Sequence, residues 1–209
     1  MVDRNETVNG VMTLSATTAT EDLVRRAQNG ETSARDELAR ENQRAAFLFA
    51  LHLVGNHDDA LDISQEAMLR FFSTLDRFQS GRAVRPWLFA IVRNQARDFW
   101  RRSKLRRHES LDESIPDLSR ALVDDGDDPE QSAFRREQQA RVWRVVSRLP
   151  RAQREILVLR DFHDLSYEEI ATVLGIPMGT VMSRLHAARM NLRRKYLALA
   201  SHQAARSDS

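Results

Sequence analysis

The sequence predicts an all-α protein of two small helical domains joined by a flexible acidic linker, the second domain containing a helix-turn-helix. Three observations carry this prediction: apolar residues recur at three-to-four-residue spacing along most of the chain, alternating strand patterns are almost absent, and one acid-rich segment with Pro and Gly divides the chain. Residues 1–18, rich in Thr, Ser and Asn without periodicity, read as a flexible tail. A first helical domain is expected over 19–107. Within it Leu23, Ala27, Leu38, Ala45, Leu48 and Leu51 keep helical spacing, and Gly30 marks a break between two helices. Asp58 to Leu75 reads as a further helix and Pro86 to Arg107 as a long one, with Pro at its start, where a missing N–H costs nothing. Residues 108–132 combine Pro116, Gly126 and Pro129 with dense acid, the composition of a self-repelling linker. The second domain is expected over 133–200, with helices at 133–148, 151–162, 167–174 and 180–197 separated by short connections. A flexible tail is expected over 201–209.

The chain has 209 residues and a mass of 24.1 kDa, enough for one ordinary domain or two small ones but not for a large multidomain enzyme. Cysteine is absent, which excludes disulfide staples, thiolate catalysis and Cys-based zinc sites. The first thirty residues lack the basic start and apolar run of a secretion signal, and no stretch of 18 apolar residues occurs, so no membrane insertion and a cytoplasmic location are expected.

A formal net charge of +2 conceals strong polarity along the chain. Residues 82–107 hold nine Lys and Arg against Asp98 alone, whereas residues 109–130 hold nine Asp and Glu against Arg120 alone. A second basic run contains Arg184, Arg189, Arg193, Arg194 and Lys195. Such local fields suit polyanion binding, although solvated helix faces and a solubilising spacer would give the same composition.

Ser166-Tyr167-Glu168-Glu169 has the spacing of a capping box and sets a helix start. Ile170 and Leu174 share its apolar face, Gly175 suits a left-handed helix end, and Pro177 stops continuation. From Thr180 onward, Val181, Leu185, Ala188 and Leu192 form an inward stripe. A helix-turn-helix presents the start of its second helix to the major groove. Thr180, Met182, Ser183 and His186 are therefore base-proximal candidates, and Arg184, Arg189 and Arg193 phosphate or mixed contacts. A plain helical hairpin with a charged face is the alternative.

Over Pro86 to Arg102, Leu88, Val92, Gln95 and Phe99 share one face, while Arg93, Arg97 and Arg101 follow another. Asn94 and Asp98 add short polar groups near that cationic edge. Trp87, Phe89 and Phe99 read as core, and Trp100 suits either packing or stacking on an exposed base. The preceding loop, with Phe78, Gly81, Arg82 and Arg85, suits capture of a base displaced from a duplex or an ordinary connector. Upstream, Asp58, Asp62, Gln65, Glu66 and Leu69 share a broad face opposite Ile63, Ala67 and Phe71. DNA would repel that acidic face, so it meets a protein partner or simply water.

An enzyme reading would recruit His52, His57 and Asp58, or His163 and Asp164, to a metal-dependent nuclease. None of these has the spacing of a zinc pattern; helix caps and surface polar groups are the preferred roles, and neither metal nor cofactor is expected. A conventional regulator, pairing a helix-turn-helix with a helical sensor, explains residues 150–197 but not the acidic face followed by a cationic helix.

Several stretches together resemble an extracytoplasmic-function sigma factor, the short type within the sigma-70 family. They are Asp59-Ala60-Leu61-Asp62-Ile63-Ser64-Gln65-Glu66, Trp87-Leu88-Phe89-Ala90-Ile91-Val92-Arg93-Asn94 and Asp98-Phe99-Trp100-Arg101-Arg102. In the second half they are Leu149-Pro150-Arg151-Ala152-Gln153-Arg154-Glu155, Ser166-Tyr167-Glu168-Glu169-Ile170-Ala171 and Gly179-Thr180-Val181-Met182-Ser183-Arg184-Leu185-His186. Their order and spacing cover about residues 21–197.

The resemblance implies a noncatalytic initiation subunit that binds the beta-prime clamp and beta flap of core RNA polymerase and recognises and melts promoter DNA. By that resemblance, Asp58, Asp62, Gln65, Glu66 and Leu69 meet polymerase. Phe78, Arg82, Arg85, Arg93, Asn94, Arg97, Asp98, Trp100 and Arg101 open the minus-ten element, and Thr180, Met182, Ser183, Arg184, His186, Arg189 and Arg193 read the minus-35 element. The linker would run near the template strand and RNA exit path, and an anti-sigma factor is a further implied partner. The chain departs from the family at Leu61, where an acid is frequent, and at Met182 and Ala187, where basic residues are frequent. No long carboxyl-terminal accessory domain is expected.

Overall fold

The computed structural model describes residues 19–79, 81–106 and 141–207. The expected amino-terminal tail, the acidic linker and the first part of the second domain lie outside the described residues. Those described form helices joined by turns, with no strand among them.

Helix α1 covers residues 19–28 and ends at Gly30, whose φ of 87° is the left-handed conformation that reverses the chain. Helix α2, Thr32–Val54, buries Leu38, Ala46, Phe49, Ala50 and Leu53, residues that return to one face every three or four positions. Helix α3, His57–Ser73, begins one residue ahead of expectation because Asn56 caps it: the Asn56 Oδ1 accepts the amide hydrogens of Asp58 and Asp59 at 2.9 and 3.1 Å. A short 3-10 turn, Leu75–Arg77, then leads toward α4, Val84–Arg106. Helices α2, α3 and α4 pack on one another. The Gln28 amide of α1 fastens the turn between α3 and α4 by donating to the carbonyls of Leu75 and Phe78 at 2.9 and 3.1 Å.

In the carboxyl unit, the helical segment α5 is described over residues 141–146, followed by α6 (Arg151–Asp161), α7 (Tyr167–Leu174) and α8 (Met178–Ser207). Pro150 opens α6, whose Ile156, Leu157, Val158 and Leu159 are all buried. Helix α8 continues past residue 197, through most of the segment expected to be a flexible tail. The reason is local: 196–207 contains Ala and Leu and no Gly or Pro, so nothing in the backbone stops the helix.

The two units are in contact. Helix α4 lies against α7, α2 against α6, and their buried side chains form one continuous apolar core.

Candidate nucleic-acid interfaces

The geometry of the helix-turn-helix follows its local chemistry closely. Ser166 Oγ accepts the Glu169 amide hydrogen at 3.2 Å, and the Glu169 carboxylate accepts that of Ser166 at 2.7 Å, so two otherwise orphaned donors are satisfied. Gly175, at φ 66° and ψ 41°, ends α7 in the left-handed region. The Pro177 carbonyl accepts the Thr180 and Val181 amides, which starts α8 at Met178, two residues before expectation.

Val181, Leu185 and Ala188 turn inward as the apolar stripe required, and Leu192 is half-buried. Met182, Ser183, Arg184 and His186 are exposed and Thr180 is partly so, which places the base-proximal candidates together at the start of the helix. Arg193 is exposed further along. Arg189 differs: its guanidinium donates twice to the Asp161 carboxylate at the end of α6, and that bond raises its already high pKa. It ties α8 to the end of α6.

Helix α4 places its candidates less uniformly. Leu88, Val92 and Gln95 are buried and Phe99 is half-buried, while Asn94, Arg97 and Arg101 face solvent and Asp98 pairs with Arg101. Arg93 is mostly covered: its Nε donates to the Glu155 carboxylate of α6 at 3.0 Å, with side-chain exposures of 17% and 8%. Trp100 lies beneath Arg151, whose guanidinium carbon is 3.7 Å from the ring centroid, a cation–π contact. Both partners come from the first turns of α6. Between the helices remains an open cleft of about 640 Å³, bordered by Arg70, Asn94, Arg97 and Arg101.

The loop before α4 divides in the same way. Phe78 is buried, its ring 4.9 Å from that of Trp87, so it supports the loop from beneath. Arg82 and Arg85 are exposed. With Gly81 and Ala83 they border a second cleft of about 570 Å³, whose far side is Thr20, Val24, Glu41 and Asn42.

On α3 the side chains of Asp58, Asp62, Gln65, Glu66 and Leu69 are all exposed, opposite buried Ile63, Ala67 and Phe71. The face is more apolar than its charges suggested. Leu61 and Leu69, exposed at 40% and 68%, border a groove of about 670 Å³ with Phe47, Met68 and Phe72. Leucine at 61 therefore enlarges an apolar patch within an acidic surround. Sequence spacing could place Leu61 on α3 but could not show that α2 supplies the groove's other wall.

Two histidines require correction. Caps and surface roles fit His57 and His186, which are exposed, but not His52 and His163. His52 is 2% exposed and neither of its ring nitrogens has a hydrogen-bond partner, and His163 Nε2 is likewise enclosed. Burial, reinforced by His163, holds the His52 pKa down at about 3; burial and the nearby Arg85 charge hold His163 at about 4. Their positions are set by the packing of α2 on α6, which no local pattern encodes. Among the described residues no three His, Asp or Glu side chains are grouped to hold a metal ion, and no helix is long and apolar enough to cross a membrane.

Comparison with known proteins places both units. Residues 38–106 match the family described as Sigma-70 region 2, and residues 139–192 that described as Sigma-70, region 4. The chain is 37% identical over 172 residues to the ECF RNA polymerase sigma factor SigE of Mycolicibacterium smegmatis, covering 82% of this chain and 65% of that relative, slightly under two thirds of it. It is 34% identical over 171 residues to the RNA polymerase sigma-H factor of Pseudomonas aeruginosa, covering 80% of this chain and 88% of the relative. Among solved structures, the sigma factor RpoE in complex with the anti-sigma factor NepR, from Bartonella quintana, shares the fold with a TM-score of 0.63. The identity is 24%, over 77% of this chain and 94% of the other.

Proposed function

Because the chain belongs to the sigma-70 family, in its extracytoplasmic-function branch, we propose that it is the initiation subunit that brings promoter selection to core RNA polymerase. It adds recognition and strand opening, while the polymerase performs nucleotidyl transfer. One arrangement carries the reading: a single chain displays an acidic, leucine-containing face on α3, a cationic edge on α4 and an exposed helix start on α8.

Each surface suits a different partner. The α3 face, with Asp58, Asp62, Gln65, Glu66 and Leu69, meets the polymerase clamp, because negative charge there disfavours DNA and Leu61 and Leu69 supply desolvated contact area. The amino unit, over 19–107, handles the minus-ten element. Arg82, Arg85, Arg93, Asn94, Arg97 and Arg101 hold phosphates of the separated strand, and the cleft beside Arg82 and Arg85 is large enough to take an unstacked base. Phe78 shapes this cleft from below, Asp98 orients Arg101, and Trp100 becomes a stacking platform once Arg151 leaves it. The carboxyl unit, over 133–200, reads the minus-35 duplex with Thr180, Met182, Ser183, Arg184 and His186, and Arg189 and Arg193 flank them at phosphates.

The segment over 108–132 tethers the two units, its negative charge suiting it to a path otherwise taken by nucleic acid. The protein works in the cytoplasm, on the polymerase and the chromosome, and an anti-sigma protein restrains it, as a partner of that kind is bound in the similar Bartonella structure. A conventional regulator would not need the α3 face.

Reconstitution with core RNA polymerase, followed by open-complex mapping over a pool of genomic DNA, tests the reading. Retention by core enzyme without DNA and melting at a selected set of start sites are expected; failure of both would overturn it. Arg82→Ala with Arg85→Ala should reduce open-complex formation while leaving closed-complex binding nearly intact.

A further inference from the structure

The seam between the two units has an unusual composition. His52 projects from α2, and its ring neighbours are Trp143, Phe162 and His163, with centroids at 4.7, 5.0 and 5.7 Å, all from the carboxyl unit. His163 follows α6, and its neighbours Phe89, Phe49 and His52, at 4.7, 5.5 and 5.7 Å, are all from the amino unit. Each histidine is thus enclosed by the other half of the molecule. Asp164, at φ 54°, turns the chain directly after His163.

The enclosure leaves polar atoms without partners. Both His52 nitrogens, His163 Nε2 and Trp143 Nε1 are buried with no hydrogen-bond partner among the described residues. Water would satisfy all of them if the units separated, so the closed seam is held by aromatic contact against unfavourable burial of these atoms. A few steps away, the same closure joins Arg93 to Glu155 and lays Arg151 on Trp100.

We propose that this seam is a proton-sensitive latch: with His52 and His163 neutral the two units close over the α4 edge, and protonation of the pair drives them apart and uncovers Arg93 and Trp100. The consequence for promoter opening rests on the function proposed above; the opening itself does not.

The charged and titratable groups whose fields reach the pair act in one direction. His163 of the carboxyl unit faces His52, and Arg85 at the start of α4 faces His163; both disfavour an added proton. Of the acids in α6, Glu155 is engaged with Arg93 and Asp161 with Arg189, and Asp164 is exposed. The sign follows from the depressed values. Closure is complete above the ordinary histidine value near 6.5 and weakens as pH falls toward the enclosed values of about 4 and 3. One pH unit below 6.5, two exposed histidines together shift the equilibrium toward the open form by about 100-fold.

Because the full chain has no cysteine, Asp36→Cys and Thr172→Cys introduce the only two labelling sites, one in each unit, both on exposed positions. Spin or dye labels then report the separation between units in otherwise unchanged protein. The expected result is a short distance at about pH 7.5 and a reversible shift to a longer one near pH 5.5, with far-UV ellipticity unchanged. A distance that stays constant, or one that lengthens only together with loss of ellipticity, overturns the latch. His52→Phe with His163→Phe keeps two aromatic rings in the seam and removes both protons. This double variant should hold the short distance at the lower pH, and opening at the parental pH overturns the assignment to the pair. If the variant does not fold, histidine NMR titration of the parent decides: the two buried resonances must titrate in step with the distance change, and titration without it refutes the proposal. None of these readouts uses polymerase or promoter, so failure of the latch and failure of the proposed function are separate results.

Discussion

On α8 the residues expected to read DNA stand in solvent, whereas on α4 Arg93 is bonded to Glu155 and Trp100 lies under Arg151. The two surfaces belong to one chain and one conformation, yet in it α4 leaves Asn94, Arg97 and Arg101 in solvent while α6 engages Arg93 and Trp100. The difference arises because α6 serves two units at once: its interior residues Ile156 to Leu159 build the carboxyl core, while its first turns reach across to α4. Freeing Arg93 and Trp100 therefore requires moving the first turns of α6 away from α4.

Core substitution is the strongest way to test whether the units are energetically separable. Phe71 is fully buried within the amino unit, in ring contact with Phe72 and Trp87 and not among the ring neighbours of His52 or His163. Phe71→Ala should lower stability by about 3–5 kcal/mol in chemical denaturation. If α7 and α8 retain native amide exchange protection while α2 to α4 lose theirs, the units fold separately; joint loss would show that the shared core couples them. Next in size is Glu155→Ala, which leaves the mostly covered Arg93 charge without its partner and should cost about 2 kcal/mol. It should also strengthen binding of a short nontemplate-strand oligonucleotide severalfold by fluorescence anisotropy. Weaker or unchanged binding would mean that Arg93 serves the seam and not the strand. Smaller again, Ser166→Ala removes one arm of the capping box and should cost about 1 kcal/mol, read as a lower melting temperature.

Local chemistry made much of this legible. The capping box, Gly175 and Pro177 specify the helix-turn-helix within a dozen residues, and the structure places each as its chemistry requires. Helix faces on α3 and α4 were equally readable, since period alone separates Ile63, Ala67 and Phe71 from Asp62, Gln65 and Glu66. What spacing could not reveal was contact between distant segments. His52 and His163, like Arg93 and Glu155, are brought together only when α2 and α4 pack against the carboxyl unit. A histidine on an otherwise apolar helix face carried a weak signal of burial, but its partner lies in a loop with no periodicity to search. Phe78 shows the same limit in reverse, since a loop aromatic reads as displayed until Trp87 is found against it.

The finest test of the contrast lies within the open face itself. Arg193 is exposed, while Arg189 is shared with Asp161, so the two arginines should differ in what they contribute at a phosphate. Arg193→Ala should reduce the slope of log binding constant against log salt by about 0.9, the value for one neutralised phosphate. Arg189→Ala should reduce it less, because its charge is already partly satisfied by a carboxylate that remains near the DNA. Asp161→Asn supplies the control: it releases the Arg189 guanidinium and should raise the slope in an otherwise unchanged helix. Equal slopes for the two alanine variants, with no effect of Asp161→Asn, would mean that Arg189 leaves Asp161 on binding and that even the exposed reader rearranges to meet its duplex.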